Sequence, residues 1–331
     1  MRSAAVCLVV VAILGGPGRA AAAPPEPTGA RPRILLDAPL RAAWAAQVKA
    51  GRGPAAGAVA MCEDDLDHRT HERASYMGSD WAKLLQACLV AWAATDKPVY
   101  AASALRYFQA LLDDLEARGD GKGGERAAER DRGYAIRNLG PYTALAYDWL
   151  HDAPGMTPEL RARARDRWAA WLRWYAANGY HPRDPGTNYH AGYLIAATLI
   201  AIAQGGDTTD GSGATLWRLV ADELWGRDMT TALAAGGALD GGDWNEGWQY
   251  GPLSVAEYAL AARVIRAHGV QVPGVGAWLA SVLRRYVHAL TPADRLWAGG
   301  DLDRVRSTAE RVLGAARQIV AGLEKELGVE L

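Results

Sequence analysis

The feature that most constrains this chain is a run of thirteen residues without a charge. Residues 191–203 read AGYLIAATLIAIA. A helix that is apolar all round has to be buried all round. Spanning a bilayer takes about 20 such residues, so this helix needs a sheath of protein instead. Gln204-Gly205-Gly206 closes it.

The sheath is legible on both sides. Thr157-Pro158-Glu159 offers a hydroxyl cap, a proline for the first turn and an early acid, which together start a helix. Leu160, Ala164, Trp168, Trp171, Leu172 and Tyr175 then share one face at three- and four-residue steps. Arg161, Arg163, Arg165 and Arg167 lie off that stripe, and Asn178-Gly179 ends the helix. After the apolar helix, a segment from about Gly213 to Leu233 is amphipathic again, with Arg218, Asp222, Glu223 and Arg227 in it.

This alternation recurs. Apolar helices are expected to begin near Trp81, Leu139, Tyr189, Gly247 and Leu302, with amphipathic partners from Pro98, Thr157, Gly213 and Gly274. The apolar starts lie roughly 50 to 60 residues apart, a period that helix-pair repeats produce. Alternating strand patterns do not occur after residue 24. The expected fold is all-α, an incomplete (α/α) toroid of antiparallel helical hairpins, with buried helices inside amphipathic ones. An irregular helical array is the plainer alternative. In a toroid the inner helices run the same way, so their N-termini share one rim that favours negative charge.

The N-terminus reads as a targeting signal. Arg2 precedes an apolar run at residues 4–14, Gly15 to Gly18 break it around Pro17, and residues 20–23 are alanines suited to cleavage. Residues 1–23 are therefore expected to be a secretory signal peptide and residues 24–331 one toroid domain, secreted or periplasmic. Once the signal is cut, no membrane partner is expected. Lys+Arg at 36 against Asp+Glu at 37 gives no basic field for nucleic acid. Cys7 leaves with the signal. Cys62 and Cys88 can pair in an oxidising compartment or stay as buried thiols, and neither has metal-ligand spacing. No metal or cofactor is implied. The 13 Trp and 13 Tyr against one Phe suit either sugar-binding clefts or helical cores.

Several expected inner-helix starts are polar. Arg137-Asn138 stands before one. Gly186-Thr187-Asn188-Tyr189-His190 stands before the next. Residues 236–250, a glycine-rich loop holding Asp240, Asp243, Trp244, Glu246, Trp248 and Tyr250, stand before a third. Taken singly, Asn188 reads equally as a helix cap, His190 as a structural histidine and the loop as a turn. Together at one rim they offer an amide, an imidazole, a guanidinium, a carboxylate and a phenol to one cleft.

In these segments the chain resembles the helical domain of the heparinase II/III-like and alginate-lyase-like polysaccharide lyases. Arg31-Pro32-Arg33-Ile34-Leu35-Leu36 resembles the family's opening segment. Asn138 with Ala146-Tyr147-Asp148-Trp149 resembles its "alaYDW" helix, and Asn188-x-His190 its Asn/His site. Asp240-Gly241 with Glu246-Gly247-x-x-Tyr250 resembles its "DG…EGxxY" segment, and Gly300-Asp301 a following Gly-Asp. Here Tyr189 separates the Asn and His that are adjacent in some relatives.

The resemblance implies β-elimination on a polysaccharide containing uronic acid. A base removes the C5 proton, the 4-linked oxygen leaves, and an unsaturated ring remains. By resemblance, Asn188 and His190 neutralise the substrate carboxylate and stabilise the enolate, and Tyr250 acts as base, acid or both. A phenol ordinarily titrates near 10, so a phenolate base needs nearby positive charge. Arg137 is the candidate for that charge or for binding a carboxylate. Glu246 is expected to orient the site, with Trp244 or Trp248 stacking on a sugar face. Family members continue into a large β-sandwich that supplies a further histidine, so the expected partners are an acidic polysaccharide or oligosaccharide and a β-sandwich on a separate domain or chain. Two other readings stand beside this one. One is an inverting glycoside hydrolase using Asp240, Asp243 or Glu246 as a separated acid–base pair. The other is a non-catalytic carbohydrate-binding toroid remnant.

Overall fold

The computed structural model describes residues 24–73, 75–113 and 133–289. The signal segment, Gly300-Asp301 and the helix expected near Leu302 lie outside the described residues. The described elements are α1 (Ala38–Lys49), α2 (Pro54–His68), α3 (Ser79–Thr95), α4 (Pro98–Asp113), α5 (Ile136–Trp149), α6 (Pro158–Asn178), α7 (Asn188–Gln204) and α8 (Ser212–Arg218). A π-helical run (Leu219–Met229) continues α8 into α9 (Thr230–Leu233), and α10 (Gly251–Ala267) and α11 (Val275–His288) follow. No strand occurs among the described residues, which are mostly helical. No described helix is long and apolar enough to cross a membrane.

The expected starts fall within a few residues of the observed ones, the largest difference being α10, where residues 248–250 form a turn before Gly251. Thr157 caps α6 by accepting from the Leu160 amide at 3.2 Å, and the buried side chains of α6 are the six of the expected stripe. Residues 190–204 of α7 are all buried. The pair α1 and α2, which the sequence reading left out, is alanine-rich with a weak apolar stripe. No residue of α1 is buried, whereas Cys62 of α2 is bonded to Cys88 of α3.

Glycines set how closely the apolar helices approach. A Cβ on Gly140 of α5 would lie 2.5 Å from the Ala196 Cβ of α7, and one on Gly192 of α7 would lie 3.1 Å from the Arg137 Cβ of α5. The pairs 137/192 and 140/196 advance together, so α5 and α7 run parallel in near backbone contact. Helix α3 packs on α5, α5 on α7 and α7 on α10. Asn138 at the start of α5 donates to the Met77 carbonyl just before α3 at 3.1 Å. Helices α4, α6, α8 and α11 each pack against members of this row.

At the opposite end, residues 31–34 strap the helix C-termini together. Asp148 of α5 accepts from the Arg33 and Ile34 amides at 2.7 and 2.8 Å, and the Trp149 indole donates to the Ile34 carbonyl at 2.8 Å. The Arg33 guanidinium donates to the Gly205 carbonyl after α7 at 2.6 Å, and His268 after α10 meets the Arg33 carbonyl at 3.1 Å. Arg31 bridges Asp148 at 3.0 Å and Asp207 at 2.7 Å. Burial raises the Asp148 carboxyl above its ordinary range, against the pull of Arg31 and the two amides. A buried pair of this kind contributes little net stability but costs several kcal/mol when one partner is removed.

The π-helical run was not legible in the pattern. With its wider turn, residues five apart fall on one face. Glu223 and Asp228 thereby both reach Arg183 in the loop before α7, at 3.1 and 2.6 Å. Asp228 and then Glu223 hold the Arg183 guanidinium above its ordinary pKa.

Candidate functional site

The N-terminal ends of α5 and α7 meet where Arg137 reaches the Asn188 carbonyl, and the start of α7 meets Glu246 in the loop before α10. Thr187, in extended conformation, is the N-cap of α7 and accepts from the His190 amide at 3.2 Å. Asn188 is thus the first helical residue and not the cap, which removes the capping reading of its side chain. Its backbone amide donates to Glu246 Oε2 at 2.7 Å, its Nδ2 donates to Glu246 Oε1 at 2.7 Å, and the Trp244 indole donates to Glu246 Oε2 at 3.1 Å. A carboxylate therefore sits on a helix N-terminus, where orphan amides and the helix dipole both favour it. The Asn188 Oδ1 is buried without a hydrogen-bond partner.

Arg137, the second residue of α5, is 5% exposed. Its Nη2 donates to the Asn188 carbonyl and to Glu257 Oε2 of α10, the latter at 3.0 Å. The Tyr134 ring covers the guanidinium at 4.2 Å. Gly192 gives it room, since a Cβ there would lie 3.1 Å from Arg137 Nε. Glycine inside a helix costs about 1 kcal/mol relative to alanine, so this position trades propensity for space beside the guanidinium. Arg137 Nε and Nη1 are buried without partners, an unusual state for strong donors. Burial pushes the Glu257 carboxyl up to about 7, more than the Arg137 charge lowers it.

Two residues apart on a helix means about 200° of rotation, so Asn188 and His190 face different neighbours. His190 is fully buried, and its Nδ1 lies 2.7 Å from the Tyr258 hydroxyl of α10. That hydroxyl also accepts from the Gly186 amide at 3.1 Å, and His190 Nε2 is buried without a hydrogen-bond partner. Burial lowers the His190 pKa to about 3, so the ring is neutral, and burial raises the Tyr258 phenol above its ordinary value. The Trp244 ring packs edge-on against Tyr258 at 5.8 Å and closes a ring of contacts through Asn188, Glu246, Trp244, Tyr258 and His190.

Tyr250 is the half-buried N-cap of α10, four residues past Glu246 and two turns before Tyr258. The indoles expected to face a sugar are turned inward. Trp244 lies against Tyr258 and Trp248 against Tyr286 at 4.7 Å, because the glycine-rich loop folds down onto α10 and α11. Aromatic surface on this side comes instead from Tyr180, which is exposed and in ring contact with half-buried Tyr189 at 5.3 Å.

Glu257 and Tyr258 were missed in the sequence. Glu257 is the single acid of α10, and a lone acid in an apolar stretch was the available signal. Tyr258 had none, because its role exists only through His190. The arrangement can neutralise an anion through Arg137 and hold a neutral imidazole rigidly. Among the described residues no group of three or more His, Cys, Asp or Glu is placed to hold a metal ion. No protein-family model matches the chain, and no curated protein matches its sequence.

Proposed function

We propose that the chain is a polysaccharide lyase that cleaves a uronic-acid-containing polysaccharide by β-elimination, on an incomplete (α/α) toroid. The observation that carries this reading is Arg137. It is a buried cation with two unused donors, at the shared N-terminal end of parallel apolar helices, in a segment that resembles those lyases. A uronate carboxylate bound there loses its charge, and the C5 proton becomes more acidic as the developing enolate meets fixed donors in a low-dielectric site. Tyr250 serves as the base and passes the proton to the leaving oxygen. Asn188 positions the Glu246 loop. His190 is a positioning residue, acting through Tyr258. The Cys62–Cys88 disulfide supports export to an oxidising compartment, secreted or periplasmic.

The test is incubation with a panel of uronate polymers while following the absorbance of the unsaturated product. The expected result is a rise with at least one polymer, abolished in Tyr250→Phe while binding and folding persist. Normal turnover by Tyr250→Phe would remove the proposed base. One observation favours a second reading, a carbohydrate-binding module without turnover: the Asn188 amides are already spent on Glu246, and His190 is sealed from solvent. Uronate binding with no unsaturated product from any polymer would select it.

A further inference from the structure

We propose that a groove between α6 and α8 is a second binding site, which takes a short neutral oligosaccharide. None of its lining residues belongs to the Arg137 site, and the proposal does not depend on the uronate reading.

Helices α6 and α8 each pack on α7, and a groove of ≈ 960 Å³ lies between them. Small-ligand pockets span about 300–1,000 Å³, so this one has room for several sugar rings. Helix α6 contributes Trp168, Leu172 and Arg173, and α7 contributes Tyr193 and Gln204. The loop from Asp207 to Gly211 closes one end, and Leu216 and Leu219 form the facing wall.

Two polar groups on the floor have no use within the protein. Tyr193 is 3% exposed and Gln204 is 6% exposed. Neither side chain meets a hydrogen-bond partner among the described residues, yet neither polar end is sealed in, because both side chains line the groove. Buried hydroxyls and amides are nearly always hydrogen-bonded, so these two are left for something that enters. Their spacing suits an elongated occupant. Residues 193 and 204 of one helix are separated by about 16 Å of rise and about 20° of net rotation. Both therefore lie on one face of α7, far apart along the groove.

The chemistry selects a neutral, hydroxyl-rich ligand. Burial pushes the Tyr193 phenol up to about 12, so it stays protonated and can both donate and accept. A carboxamide also does both, and so do sugar hydroxyls. The ionised groups leave no cationic field for an anion. Arg165 donates to the Tyr147 hydroxyl at 2.7 Å, and Asp207 accepts from Arg31 at 2.7 Å. Asp210 accepts from the Ser212 amide and hydroxyl at 3.0 and 2.7 Å. Arg173 and Asp166 remain, one of each sign. Leu172, Leu216 and Leu219 supply apolar surface for the C–H faces of a sugar ring. A partner helix would want a continuous apolar floor, which the Tyr193 hydroxyl and the Gln204 amide interrupt.

The experiment is calorimetry and ligand-observed saturation-transfer NMR on the full chain. The probes are neutral tetrasaccharides of glucose, mannose, xylose and galactose, a galacturonate tetramer, and an amphipathic Leu/Lys peptide. At least one neutral tetrasaccharide is expected to bind. Tyr193→Phe and Gln204→Leu remove groups that no described protein atom uses, so their melting temperatures should stay close to the wild-type value. Each should weaken that sugar about 2- to 10-fold, the worth of one hydrogen bond. Ala176→Trp, at an exposed position lining the groove, should abolish its binding. A clear fall in the melting temperature of Tyr193→Phe would reveal a protein partner for the hydroxyl and overturn the proposal. Failure of every neutral tetrasaccharide to bind would overturn it, as would binding that all three substitutions leave unchanged. Galacturonate or peptide binding that Ala176→Trp removes, with no neutral sugar bound, would assign the groove to another occupant and overturn it as well.

Discussion

Replacing Gly140 with alanine tests the close approach of α5 to α7. The new Cβ would lie 2.5 Å from the Ala196 Cβ, 3.2 Å from the Ala196 Cα and 3.5 Å from the Ile200 Cδ1. Carbon atoms rest about 3.5–4.0 Å apart, so α5 and α7 must separate by about 1 Å. Neither Cβ can rotate away. Overpacking of this kind costs about 1–3 kcal/mol, and the gain in helix propensity returns about 1 kcal/mol. A backbone-level clash belongs in the upper part of that range, so the net loss is about 1–2 kcal/mol. The Tm should fall by about 2–6 °C for a domain of this size. Moving α5 off α7 also weakens the contact between Arg137 and the Asn188 carbonyl, so uronate affinity should fall with stability. The companion variant Ala196→Gly removes the opposing methyl and costs about 1 kcal/mol alone. In the double variant the methyl has only changed sides, and stability should exceed the additive expectation by at least about 1 kcal/mol. Urea and thermal melts of the four proteins measure this. A Gly140→Ala variant as stable as wild type, or a strictly additive double variant, would refute the close parallel packing on which the shared rim depends.

Asp148→Asn should destabilise by about 3–5 kcal/mol, because Arg31 and the strap amides lose their buried carboxylate; an effect below 1 kcal/mol would show the strap to be dispensable. His190 is held neutral, with its pKa lowered to about 3 in the folded chain against about 6.5 unfolded. Below pH 6.5 the unfolded chain binds the extra proton, so stability falls as pH drops from about 6.5 toward 3, by at most about 1.4 kcal/mol per unit. His190→Gln should flatten that part of the curve in chemical denaturation, and an unchanged slope would contradict the burial of the ring. The Cys62–Cys88 bond closes a loop with a sequence separation of 26, which predicts a loss of about 3.5 kcal/mol in Cys62→Ala/Cys88→Ala; equal melts for wild type and variant would count against it.

The helices were legible in the sequence because their causes are local. Thr157-Pro158 starts α6 by capping within a few residues, and its buried face follows from the spacing of Leu160 to Tyr175. The uncharged α7 announced its own burial. Partners across the fold were not legible. Periodicity says that His190 is inside, but not that the Tyr258 hydroxyl, 68 residues on, meets its Nδ1. It brought Asn188 and Glu246 to one rim, yet could not say that the carboxylate already occupies the amides of Asn188. Only the tertiary structure decided these, because a side chain's charge state and free donors depend on which distant groups exclude water from it. A backbone's helical preference depends on its immediate neighbours, and those the sequence states outright.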